Sequence, residues 1–172
     1  MSRKRNIIAF IVIGILGVLG HFVYEWTGKL YGVGVLFPVN ESTWEHLKLL
    51  FYPSVIYFII EYFTLDKKPK NYIPSSVLSI FIGMLSIVVL FYTYKGVVGK
   101  NIDFINIAIY FIGVIVMLIM RNIALKKCNA SGFIFLIPII IMGILFAVFS
   151  FNPPDLGLFD TPNTLTNCFQ VI

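Results

Sequence analysis

Both histidines of this chain, His21 and His46, lie close in sequence to three of its four glutamates, Glu25, Glu41 and Glu45. Asn40 and Lys48 stand among them. Imidazole nitrogens and carboxylates are the donors a zinc ion takes, and a site with three protein ligands leaves one position open for water or substrate. Without a metal, the same groups can pair as a base and the residue that orients it. His21, Glu25 and His46 are therefore the candidate metal ligands. Together with Glu45, placed to shuttle a proton, they are also the candidate catalytic groups. Asn40, Glu41 and Lys48 are candidates for holding a ligand, as is Asp160 from the far end of the chain. The spacing matches none of the strong metal signatures, such as HExxH.

Three readings of this group stand side by side. In the structural one, Asn40, Ser42 and Glu45 cap a helix and Trp26 and Trp44 anchor it at a membrane interface, which leaves the histidines unexplained. In the enzymatic one, the group is a metal-assisted or acid-base site, and the cofactor it implies is a divalent metal. In the third, the carboxylates and histidines hold a cation or a lipid headgroup. A transport path through so short a chain implies a homo-oligomer.

The elements that must position these residues are membrane-spanning. Hydrophobic residues make up 59% of the 172 and charged residues only 12%, about half the charge of a soluble domain. A water-facing surface cannot be built from so little charge, so the partner covering most of the chain is the lipid bilayer. Five apolar runs approach the ~20 residues a helix needs to cross hydrocarbon. They cover about 7–24, 47–65, 73–92, 102–120 and 133–151, followed by a polar tail over 153–172. The fold class expected is an all-α integral membrane bundle of five transmembrane helices. The first run follows Arg3, Lys4 and Arg5 as a signal peptide would, but it is long and ends in His21–Trp26 with no small-x-small site, which argues against cleavage.

Basic residues orient the bundle. Arg3, Lys4, Arg5, Lys67, Lys68, Lys70, Arg121, Lys126 and Lys127 fall at alternating ends that share one side, leaving Lys29, Lys48, Lys95 and Lys100 for the other. The richer side is cytoplasmic, so the N-terminus is expected inside, and the C-terminus and the His/Glu group outside. Cys128 and Cys168 then lie on opposite faces and do not pair. The net charge of +5 is spent on these topology clusters. No basic stripe is interleaved with exposed aromatics, which excludes nucleic acid as a partner.

Local signals refine the elements. Ser42-x-x-Glu45 ahead of an apolar run is a capping box. His21 and Glu25 are four apart on one helix face, with Gly14 and Val18 on that face and Gly17 beside it, small enough for a neighbouring helix to approach. Pro53 cannot donate to the carbonyl of Leu49, so an acceptor is freed about one turn below the cluster. Glu61, near the inner end of its span, reads as a snorkelling or solvated carboxylate.

The stretches Gly20-His-Phe-Val-Tyr-Glu-Trp26 and Pro38-Val-Asn-Glu-Ser-x-Trp-Glu-His-Leu-Lys48 resemble a bacterial family of small multi-pass membrane proteins known only as a domain of unknown function. Pro153-Pro154-x3-Leu158-Phe159 matches a further motif of that family. After Asp160 the chain departs from the family pattern. The resemblance implies a bacterial plasma-membrane location and points to the same residues, and it brings no reaction with it.

Overall fold

The computed structural model describes residues 3–161, which leaves Cys168 and the tail beyond Thr161 outside the described residues. The described chain is helical, with no strand. Its elements are α1 (Arg3–Trp26), the single turn α2 (Tyr31–Gly34), α3 (Thr43–Thr64), α4 (Tyr72–Val98), α5 (Asp103–Lys127) and α6 (Ile137–Phe149), the last entered through a 3-10 turn at Phe133–Leu136. Four of these, α1, α3, α4 and α5, are long and apolar enough to cross a membrane. The fifth apolar segment is shorter, because Gly132 and the 3-10 turn delay the α-helix until Pro138 sits in its first turn. Pro138 thus starts a helix rather than interrupting one, where its missing N–H costs nothing.

α3 is the centre of the bundle, packing against both α1 and α4, while α5 packs against α4 and reaches α1. Ile13, Leu50, Phe51, Ile80, Val114, Met117 and Phe146 form the enclosed core, and the outward faces of α1, α4, α5 and α6 carry isoleucine, leucine, valine and phenylalanine. That inversion suits a helix bundle solvated by lipid.

Two helix contacts set the cavity described below. The first is a Tyr110 wedge. Its hydroxyl lies 2.9 Å from the carbonyl of Ile13 and 3.3 Å from that of Leu49, the carbonyl freed by Pro53. Gly17 makes room for it: a Cβ there would stand 1.9 Å from the Tyr110 oxygen. The second is the start of α3. Ser42 Oγ accepts from the Glu45 amide at 3.3 Å, as a capping box requires. The reciprocal bond is absent, since the Ser42 amide donates to Asn40 Oδ1 at 2.9 Å and the Glu45 carboxylate is engaged elsewhere. The Trp44 amide is satisfied by the carbonyl of Leu158, and Phe159 packs on the Trp44 ring. The Pro153–Phe159 segment therefore folds back as a cap on α3.

Candidate functional site

The sequence group divides into two sites, one open and one sealed. In the open one, His21 from α1, Glu41 from the loop before α3 and His46 from the first turns of α3 converge. His21 Nε2 lies 3.6 Å from Glu41 Oε1, and His46 Nε2 lies 3.3 Å from Glu41 Oε2. The two imidazole rings are 5.3 Å apart. One potential ligand atom from each residue falls within 4.8 Å of the others. Each side chain is partly accessible, Glu41 most of all.

The orientation of His46 follows from its backbone. Its Nδ1 is 2.8 Å from the Ser42 carbonyl. A carbonyl only accepts, so Nδ1 carries a proton, and Nε2, turned toward Glu41, donates to that carboxylate when the ring is protonated and offers a lone pair once that second proton is lost. Histidines that ligate metals are held in this way by a carbonyl or carboxylate on the far nitrogen. The hydrogen bond from His46 holds the Glu41 carboxyl below its ordinary value; partial burial opposes this, and the charges of His46 and His21 add to it. Glu41 is thus a carboxylate at neutral pH.

The trio lies on the wall of a cavity of about 790 Å³ between α1, α3 and α5. Opposite it stand Asn101, Asp103 and Asn106, contributed by the start of α5 and the loop before it. These were missed in the sequence reading. Their only signal is three amide or carboxylate side chains within six residues at the same end of the bundle, a pattern that any solvated loop also carries. Tyr94 organises them, its hydroxyl lying 2.9 Å from Asn101 Oδ1 and 3.0 Å from Asn106 Oδ1. A side chamber of about 80 Å³ shares Glu41, His46 and Asp103 with the main cavity.

Glu25 lines the cavity rim, but its carboxylate pairs with Lys29 at 3.3 Å on the exposed surface and is not one of the converging trio. Asn40 also lines the cavity, with its Oδ1 committed to the Ser42 amide. Asp160 is not among the lining residues, although its neighbour Thr161 is.

Glu45 and Lys48 form the sealed site. They point to the other side of α3, where both are almost completely buried and 2.9 Å apart. The Lys48 ammonium also donates to the Gly34 carbonyl at 2.7 Å and to Ser150 Oγ at 2.6 Å, which accounts for its three protons. The Glu45 carboxylate accepts from the Val39 amide at 2.9 Å and lies 2.7 Å from Ser150 Oγ. This network ties α2, α3 and the end of α6 together and leaves Glu45 no path to the cavity. Ser150 was not singled out from sequence, because a lone serine at the end of an apolar run carries no signal.

A second buried pair lies at the opposite end of α3. Glu61 is buried and paired with Arg121 of α5, whose Nε donates to Ser76 Oγ at 3.2 Å. Tyr72 Oη lies 2.7 Å from Glu61 Oε2, and the Arg121 guanidinium sits 4.0 Å from the centre of the Phe58 ring. Glu61 is thus enclosed rather than snorkelling, because Arg121 approaches it from within the bundle.

Comparison with known proteins places the chain in a family. It belongs to DUF6512, a family of unknown function, whose model matches residues 1–166. No curated protein and no solved structure matches it.

Proposed function

We propose that this chain is a multi-pass plasma-membrane protein that binds one divalent transition-metal ion, zinc by preference, through His21, Glu41 and His46 on its outer face. The observation that carries this is the convergence of the three donors from three separate segments, with His46 Nε2 presented by the Ser42 carbonyl. In tetrahedral zinc with bonds of about 2.0–2.2 Å, neighbouring ligand atoms sit roughly 3.4 Å apart. The 3.6 and 3.3 Å contacts run to the two different oxygens of Glu41, and one donor atom from each residue lies within 4.8 Å of the others, so binding a single ion draws the three together. Two imidazoles and one carboxylate suit zinc better than calcium or magnesium, which take oxygen.

Five crossings and an inside N-terminus complete the reading. Phe133–Phe149 is at the short end of the ~17–25 residues that span. It begins a few residues after Cys128, whose carbonyl is bonded by Asn71 at the start of α4, and it finishes with Ser150 against Lys48 near the start of α3. Those are opposite ends of the bundle, which supports a crossing by this segment.

A second reading, a metal-dependent hydrolase or transferase, is favoured by the cavity. Zinc held by these three ligands would leave a coordination position for water or substrate and would supply the acidification that lets such a water act near neutral pH.

Elemental analysis of purified protein tests the metal reading. About one zinc per chain is expected in the wild type, less than a tenth of that in His21→Ala/His46→Ala, and undiminished zinc in Glu45→Gln. Absence of metal from all three after incubation with zinc overturns the proposal.

A further inference from the structure

The cavity extends well beyond the metal-binding trio. Along α1 it runs from Glu25 down to Gly17, eight residues or about 12 Å at 1.5 Å per residue. Its volume of about 790 Å³ lies within the range of pockets that enclose an organic ligand, roughly 300–1,000 Å³, and far exceeds the ~30 Å³ a water occupies.

Its walls differ in character from one side to another. At the rim and waist are Glu41, His21, His46, Asp103 and the asparagines; Val18, Phe22 and Ile107 line the flank where α1 and α5 part. Those three side chains are 40%, 45% and 53% exposed, and they belong to helices whose outer faces are apolar. The cavity therefore opens sideways onto the surface that lipid covers. Its lining includes no lysine or arginine among the described residues, whereas Glu41 and Asp103 both face it.

We propose that this cavity takes a membrane-borne amphiphile, with its apolar chain against Val18, Phe22 and Ile107 and a hydroxyl- or amine-bearing headgroup at Asp103, Asn101 and Asn106, beside the His21–Glu41–His46 trio. The inference rests on the reading above that this cavity is the working site, and it names the substrate class. Carboxylate and amide oxygens accept from hydroxyl or amine donors, and the lining sets three carboxylates, Glu25, Glu41 and Asp103, against two histidines, a balance that disfavours a phosphate headgroup. Entry from the side spares the chain any passage through water.

The test uses the full-length protein in phosphatidylcholine vesicles with a diacylglycerol carrying a photoactivatable diazirine in its acyl chain. Labelling is expected to concentrate on the peptides holding Val18–Phe22 and Ile107, and to be suppressed by unlabelled diacylglycerol at about one-tenth the concentration of phosphatidic acid needed for the same effect. Val18→Trp and Ile107→Trp should each reduce it severalfold, while Ile140→Trp on the lipid face of α6 should leave it unchanged. Labelling that is spread evenly over the lipid-facing helices, or that neither tryptophan reduces, overturns the proposal. Equal competition by phosphatidic acid overturns the headgroup assignment. Zinc measured in the same samples separates the two readings. Zinc present with diffuse labelling removes the amphiphile alone, and saturable labelling without zinc supports the amphiphile and removes the metal.

Discussion

Tyr110 and Gly17 show how closely the site depends on single atoms. The phenol sits where any Cβ on residue 17 would be, touching both Ile13 and Leu49 through its oxygen. Gly17→Ala must displace either the ring or α1, and overpacking of this kind costs about 1–3 kcal/mol. Unfolding in detergent should show that loss, and zinc affinity should fall with it because His21 lies one turn further along the same helix. Gly17→Ala/Tyr110→Phe should recover part of the stability, since the alanine clashes first with the hydroxyl. Gly96→Ala is the control, as nothing lies within 4 Å of a Cβ there.

Among elements, α3 carries the largest electrostatic burden, with a buried ion pair toward each end. Removing one member of such a pair strands the other, at about 3–5 kcal/mol. Lys48→Met is therefore expected to destabilise by that amount in a detergent unfolding series, and Lys48→Met/Glu45→Gln to regain much of it, because a neutral amide is cheaper to bury than a lone carboxylate. Ser150→Ala should cost less, about 1–3 kcal/mol, by removing one partner from each charge. The same pairs explain what was legible in the sequence. The apolar runs and the start of α3 could be read directly, since length, hydropathy and capping chemistry are local. The Ser42 half of the capping box could be foreseen, but the Glu45 half could not, because Ser150, which draws the carboxylate away, is 105 residues distant. Glu61 and Arg121 were each visible as charges near one membrane face, yet nothing in either neighbourhood indicates that they meet. His21, Glu41 and His46 were all noticed; what sequence withheld was which glutamate joins the histidines, a question of loop geometry between α2 and α3.

At the scale of the molecule, the arrangement of charge makes a topological prediction. Starting from a Cys128→Ser/Cys168→Ser background, Lys29→Cys and Lys100→Cys should react with a membrane-impermeant thiol reagent in intact cells, whereas Lys68→Cys should react only after permeabilisation. The reverse pattern would turn the molecule over and place the cavity on the cytoplasmic side. The placement of its ion pairs also bears on how the chain is made. Of the four spanning-length helices, α3 is the least apolar, and each charge at membrane depth adds about 2.5–3.5 kcal/mol to insertion. Yet its partners are synthesised later: Arg121 arrives with α5, and Ser150 only as α6 emerges. During biogenesis α3 must either wait at the insertion machinery or sit in the bilayer with Glu61 lacking its counter-charge and the Glu45–Lys48 pair lacking Ser150. Chains that stall before α6 would then expose an unfinished polar seam, a mark by which membrane quality control could tell them from completed molecules.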